Sequence, residues 1–128
     1  MRCLDASFLI DLVRNVPEAV RKAEALATSG EHLSVAAPAL AELLIGAYHR
    51  GGEDLRKTID LVAQLEVVEV DAEVAAEAGR LGAELLRRGE AAPMVDLLIA
   101  ACTTMRKMVL VSRDVAFSRI PGVVVETY

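Results

Sequence analysis

The sequence predicts an α/β fold: a parallel sheet with helices covering both of its faces. Two patterns and one composition lead there. Short apolar runs rich in β-branched residues, such as Val109-Leu110-Val111, read as strands buried on both faces. They alternate with helix-length amphipathic segments, the arrangement that parallel strands joined by crossovers require. The composition is 54% hydrophobic but only 3% aromatic, so the core must be aliphatic. The 128 residues suit one domain, 1–128, and are enough to enclose such a core.

Each element follows from local signals. Residues 1–4 form a short buried strand, and a helix covers about 6–14. Pro17 stands near the start of a second helix that runs to about 28 and is ended by Gly30. His32-Leu33-Ser34-Val35-Ala36 is the next strand. Pro38 opens a helix that Gly51-Gly52 terminates, and residues 53–65 make another amphipathic helix. Val67-Val68-Glu69-Val70 is strand-like. Asp71 is placed to cap a long helix, 72–89, whose apolar stripe is Val74, Ala78, Leu81 and Leu85. Pro93 starts a helix through about 106 that is apolar on nearly every side, as a covered helix is. Val109–Val111 is a strand, 112–122 a loop or helical turn, and Val123-Val124-Val125 a last strand at an edge behind Pro121-Gly122.

Against this apolar background four acids stand out. Asp5 closes the first strand. Glu42 interrupts Ala39-Leu40-Ala41-Glu42-Leu43-Leu44-Ile45. Asp96 precedes Leu97-Leu98-Ile99-Ala100-Ala101, and Asp114 follows Val109–Arg113. A half-buried carboxylate is costly without a cation or several donors. Glu42 and Asp96 have no Lys or Arg three or four residues away to pair with on their helices. Four such acids brought together would make a divalent-cation site, and Asp5 and Asp114 lie at strand carboxyl ends, where α/β sheets bind ligands. Taken singly, each has another reading. Asp5 and Asp96 can cap the helices they introduce, Glu42 can pair with a distant Arg, and Asp114 can shape a turn.

Composition excludes several classes. No apolar stretch approaches the roughly 18 residues of a membrane span, and the N-terminal run contains Asp5 and Asp11, which argues against a secretory signal. Cys3 and Cys102 both fall in buried elements, so reduced thiols and a cytoplasmic location are expected, with a disulfide between neighbouring elements as the alternative. The net charge of −5 argues against indiscriminate nucleic-acid binding, yet it is unevenly spread. Residues 31–78 carry ten acids against Arg50, Arg56 and Lys57, whereas 103–119 carry Arg106, Lys107, Arg113 and Arg119 against Asp114 alone.

Four segments together resemble the PIN-domain ribonucleases, and among them the VapC-type toxins of toxin–antitoxin pairs. They are Leu4-Asp5-Ala6-Ser7 with Leu9-Ile10, Ala41-Glu42-Leu43-Leu44-Ile45-Gly46-Ala47, Asp96-Leu97-Leu98-Ile99-Ala100-Ala101, and Leu110-Val111-Ser112-Arg113-Asp114 with Phe117 and Arg119-Ile120-Pro121-Gly122. The resemblance runs from end to end in family order. It implies a three-layer α/β/α sandwich around a mostly parallel sheet of four or five strands. It also implies Mg²⁺- or Mn²⁺-dependent cleavage of single-stranded or loop RNA, with Asp5, Glu42, Asp96 and Asp114 as the catalytic, metal-holding acids; Glu42, at the rim, can hold the ion through water or directly. Ser7 and Ser112 would support them. Many relatives carry a further acid where this chain has Ala116, which puts a second metal position in doubt.

The resemblance further implies a cognate antitoxin protein that covers the acidic groove, and a homodimer. An apolar helix pair such as 53–65 and 72–89 would bury its surface across the two-fold axis. Arg106, Lys107, Arg113 and Arg119, near Asp114 in sequence, are the candidate RNA-phosphate contacts. Asp11 reads as a solvated helix position, His32 and His49 as surface histidines, and Phe8 and Tyr48 as packing residues. Two other functions compete with the toxin: an RNA-processing nuclease outside any toxin system, and a catalytically silent PIN-like module that binds RNA or protein.

Overall fold

The computed structural model describes residues 1–128. Its strands are β1 (Arg2–Leu4), β2 (Leu33–Ala36), β3 (Glu66–Val68), β4 (Val109–Val111) and β5 (Val125–Glu126). Its helices are α1 (Ala6–Val13), α2 (Pro17–Ser29), α3 (Ala37–Arg50), α4 (Gly52–Val62), α5 (Ala72–Arg87) and α6 (Met94–Met105), with a 3₁₀ turn at Val115–Arg119. The strands form one all-parallel sheet in the order β3-β2-β1-β4-β5. This is the expected α/β architecture, with five strands.

The chain therefore begins in the middle of its sheet. β1 pairs with β2 on one side, Arg2 opposite Leu33, and with β4 on the other, Leu4 opposite Val111. β2 and β3 build outward one way and β4 and β5 the other. The strand order reverses between β1 and β4, where the following segments part and leave a crevice beyond the carboxyl ends.

Burial matches the apolar patterns. Cys3, Leu4, Val35, Ala36, Val68, Leu110 and Val111 bring the strands into one core with Phe8, Leu9, Leu43 and Ile99 from the helices. In α6 the run Ile99-Ala100-Ala101-Cys102-Thr103 is buried without a break, as expected of a covered helix. The stripe Val74, Ala78, Leu81 and Leu85 of α5 is buried too. It belongs to the chain's own core, so the expected two-fold contact cannot use it. α5 and α6 pack closely where Gly82 meets Leu97: a Cβ at Gly82 would stand 3.0 Å from Leu97 Cδ1. Asp71 caps α5 by accepting from the Val74 amide at 2.9 Å, and Gly30, at φ 69°, ends α2 in the left-handed conformation.

Three local expectations change. β3 is Glu66–Val68 rather than 67–70: pairing ends at Ala36 opposite Val68, and Glu69 and Val70 lie exposed beyond it. The last strand is Val125–Glu126 rather than 123–125. The Val123 amide donates to Ile120 O at 3.2 Å, which closes the preceding turn and puts the Val123 side chain into the core, and pairing starts at Leu110 opposite Val125. Tyr48 is not a packing residue: it is exposed beside Ile45 on the outer face of α3, whereas Phe8 is fully buried. No helix is long and apolar enough to cross a membrane.

Candidate active site

The crevice at the strand-order reversal is a cavity of about 470 Å³ lined by Asp5, Ala6, Ser7, Ile10, Glu42, Asp96, Arg113, Asp114 and Phe117. The four acids singled out in the sequence thus come from four separate elements to one place. β1 ends at Leu4 and delivers Asp5, β4 and its loop deliver Asp114, α3 carries Glu42 and the first turn of α6 carries Asp96.

The four differ in setting. Asp5 is buried at 5% exposure, and its amide donates to Val111 O at 2.9 Å, locking it to β4. Its side chain makes no capping bond to α1. Instead, the Ser7 and Ser112 hydroxyls both donate to its Oδ2, at 3.0 and 2.8 Å, which leaves Oδ1 without a protein donor. Each hydroxyl has one hydrogen. With both aimed at Asp5, the 3.2 Å approach of the two serine oxygens is a contact rather than a further hydrogen bond. Each serine also accepts from the loop after β4: Ser112 from the Asp114 amide at 3.0 Å, Ser7 from the Arg113 amide at 3.1 Å. Two hydroxyls thereby tie the carboxyl ends of β1 and β4 into one rigid unit.

Asp96 is half-buried, and Glu42 and Asp114 are exposed at the mouth of the cavity. Neither Glu42 nor Asp96 makes an ion pair or a capping bond, so the local readings of these two acids do not hold. Burial, then the charges of Asp114 and Asp5, raise the Asp96 carboxyl above the usual carboxylate range, with Arg119 opposing. Glu42 is raised by burial, then by Asp5 and Asp96. Asp114 does shape its turn, accepting from the Ala116 amide through Oδ1 at 2.9 Å, and its Oδ2 takes no protein donor.

This is an oxygen-only donor set of concentrated like charge, the chemistry that suits Mg²⁺ or Mn²⁺. No three carboxylates stand close enough to hold one ion by direct contact alone. That fits an ion held through one or two carboxylates and its own waters.

The basic residues separate into two groups. Arg113 lines the cavity, and Arg119 lies near Asp96 while its Nη2 donates to Ala91 O at 2.7 Å. Arg106 and Lys107 sit past the far end of α6, about 15 Å from Asp96 at 1.5 Å per residue. There Arg106 pairs with Glu66 at 3.2 Å, so these two are not beside the acids as their closeness in sequence suggested.

Asp11 is also not solvated. It is 5% exposed, its two oxygens accept from Arg113 Nη1 at 2.9 and 3.1 Å, and the Tyr128 hydroxyl donates to Oδ2 at 2.6 Å. The available signal was its spacing: Asp11 stands three residues after Phe8 on the buried side of α1. His32 is exposed and paired with Glu66, and His49 is exposed, as expected of surface histidines.

A PIN-domain family model matches residues 2–123. The chain is 30% identical over 128 residues to the tRNA(fMet)-specific endonuclease VapC of Salmonella typhimurium, covering 98% of this chain and 96% of that protein. Among solved structures it resembles the DNA-bound VapBC of Salmonella typhimurium, at TM-score 0.79 and 29% identity over 98% of this chain and 96% of that one. It also shares its fold with VapBC2 of Rickettsia felis bound to a promoter DNA fragment, at TM-score 0.83 and 22% identity over 99% and 98% of the two chains.

Proposed function

The chain belongs to the PIN-domain family, in its VapC-type branch, and from that premise we propose that it is a divalent-metal-dependent endoribonuclease. It cleaves single-stranded or loop RNA and acts as the toxin of a toxin–antitoxin pair. The observation that carries this reading is the gathering of Asp5, Glu42, Asp96 and Asp114 around one cavity at the sheet's switch point.

A bound Mg²⁺ or Mn²⁺ supplies a water of lowered pKa and neutralises charge developing on the scissile phosphate. The chain's own residues do the rest. Asp5 Oδ1, Asp114 Oδ2 and Asp96 are carboxylate oxygens without a protein donor; one or two of them would hold the cation directly, and the rest, with Glu42 at the rim, would hold it through its waters. Ser7 and Ser112 fix Asp5, so that the site needs no reorganisation when substrate enters. Asp96 in the first turn of α6 is favoured as an anion by the helix dipole, against its burial and then the repulsion of Asp114 and Asp5. The fully enclosed thiols of Cys3 and Cys102, pushed up by burial to about 12 and about 11, stay protonated and take no part. They suit a reducing, cytoplasmic setting.

The VapBC complex among the similar solved structures supports a protein partner for this chain. A cognate antitoxin protein covers the acidic groove with a basic side chain among the carboxylates, and the toxin is a homodimer. Since the α5 stripe is internal, the dimer contact uses residues left exposed, such as Leu86 and Met94. Light scattering at micromolar concentration should give twice the 13.7 kDa chain mass; a monomer would remove the dimer and leave the nuclease.

Cleavage of a labelled single-stranded RNA tests the activity. Asp5→Asn and Asp96→Asn should abolish Mg²⁺-dependent cleavage without unfolding the chain, and undiminished cleavage by either purified variant would overturn the assignment.

A further inference from the structure

Beside the acids stands a cation whose position is unusually well determined. Arg113 is the single basic residue lining the cavity. Its guanidinium is held at one nitrogen: Nη1 donates to both oxygens of buried Asp11, while Nη2 and Nε have no protein acceptor. Asp11 is fixed in turn by the Tyr128 hydroxyl. The Tyr128 ring packs edge-on against Phe8 with centroids 4.9 Å apart, so the phenol cannot swing away without leaving that contact. Burial, then the Asp11 carboxylate, pushes the phenol far above its ordinary range, and it remains a donor at any working pH.

A buried ion pair by itself argues little for function. This one is lopsided: Asp11 is enclosed, whereas the Arg113 side chain is 63% exposed at the rim of a cavity whose other charged residues are all carboxylates. A phosphodiester approaching four acids needs a positive partner, and an arginine already fixed at one nitrogen gives up little further rotamer freedom when its other N–H groups bind phosphate. The two segments that carry Asp11 and Arg113 belong to the acid site. Arg113 adjoins Asp114, and its amide donates to Ser7 Oγ, the hydroxyl that holds Asp5.

We propose that Arg113 binds an RNA phosphodiester at this site and that Asp11 and Tyr128 are positioning residues that hold its guanidinium beside the acids. The assignment rests on the nuclease reading above, and its test separates the two. Initial rates on a fluorescein-labelled single-stranded RNA oligonucleotide are measured for the wild-type chain, Arg113→Gln, Tyr128→Phe and the double variant. Tyr128→Phe keeps the ring on Phe8 and removes only the hydroxyl.

Arg113→Gln should raise KM about tenfold, as loss of a charge-assisted hydrogen bond does, with kcat changed less than about twofold. It should also flatten the salt dependence of log KM by about 0.7, the increment of one single-strand phosphate contact. Tyr128→Phe should raise KM by a smaller factor of about three, since it loosens the arginine without removing it. In the Arg113→Gln background it should change KM no further, because there is no guanidinium left to position. A purely structural tyrosine would act equally in both backgrounds. Unchanged KM and salt slope in Arg113→Gln, or an undiminished Tyr128 effect in the double variant, overturns the assignment while Asp96→Asn still abolishes cleavage. Should Asp96→Asn cleave normally, the nuclease reading itself fails, and the phosphodiester role of Arg113 fails with it.

Discussion

Ser112→Ala should be among the costliest single-atom deletions in this chain. Ser112 is fully buried, so no water can replace its hydroxyl. Its Oγ donates to Asp5 Oδ2 at 2.8 Å and accepts from the Asp114 amide at 3.0 Å. Losing a hydrogen bond to a charged group costs about 1.5–3 kcal/mol, and the Asp114 amide, part-buried, loses its acceptor as well. The expected total is about 2–3 kcal/mol. With 128 residues at roughly 2.1 cal/mol/K each, the unfolding entropy is about 0.27 kcal/mol/K, so Tm should fall by about 7–11 °C. The assay is calorimetric unfolding of the metal-free protein in EDTA, for Ser112→Ala alone and in an Asp5→Asn background. With a neutral amide at position 5 the hydroxyl donates to an uncharged acceptor, and its deletion should cost about 1 kcal/mol less. Equal losses in the two backgrounds would refute the idea that Ser112 serves the Asp5 charge.

Two further outcomes follow from the electrostatics and the packing. Glu42 has a raised carboxyl, so the folded chain binds its proton more tightly than the unfolded chain does, and in the metal-free protein its contribution falls as pH rises from the unfolded value through the folded one. Glu42→Gln removes that loss, so its unfolding free energy relative to wild type should grow between about pH 3 and about pH 7 in EDTA. A flat difference in urea titrations would contradict the raised carboxyl that burial, then Asp5 and Asp96, impose on Glu42. On α5, Gly79→Ala meets nothing within 4 Å and should stabilise by about 0.5–1 kcal/mol through helix propensity. Gly82→Val should destabilise by about 1–3 kcal/mol through its clash with Leu97, and the urea midpoints of the two variants should move in opposite directions.

The sequence carried the sheet and the acids for the same reason: burial leaves a periodic apolar signal, and a charge that breaks it is visible. Glu42 interrupts such a run, and Asp5, Asp96 and Asp114 stand at the ends of theirs. What stayed hidden depends on long-range geometry. Arg106 is eight residues from Asp114, yet β4 carries the chain about 10 Å along the strand direction between them, and they lie at opposite ends of the strands. Asp11 looked like a solvated helix acid because its partners, Arg113 and Tyr128, lie 102 and 117 residues away. The last strand was displaced by two residues because a valine run marks β-propensity but not register, which the turn at Ile120–Val123 sets.

The central claim is that four acids from four elements act together on one divalent cation, and Mn²⁺ binding tests it without any assumption about RNA. Titration of wild type and of Asp5→Asn, Asp96→Asn, Asp114→Asn and Glu42→Gln can be followed by the paramagnetic resonance signal of free Mn²⁺. Removing a ligand charge weakens such sites strongly. The three aspartate variants should bind at least about tenfold more weakly than wild type, and Glu42→Gln should be affected less, as an acid acting through water is. Wild-type affinity in the aspartate variants would contradict the shared site.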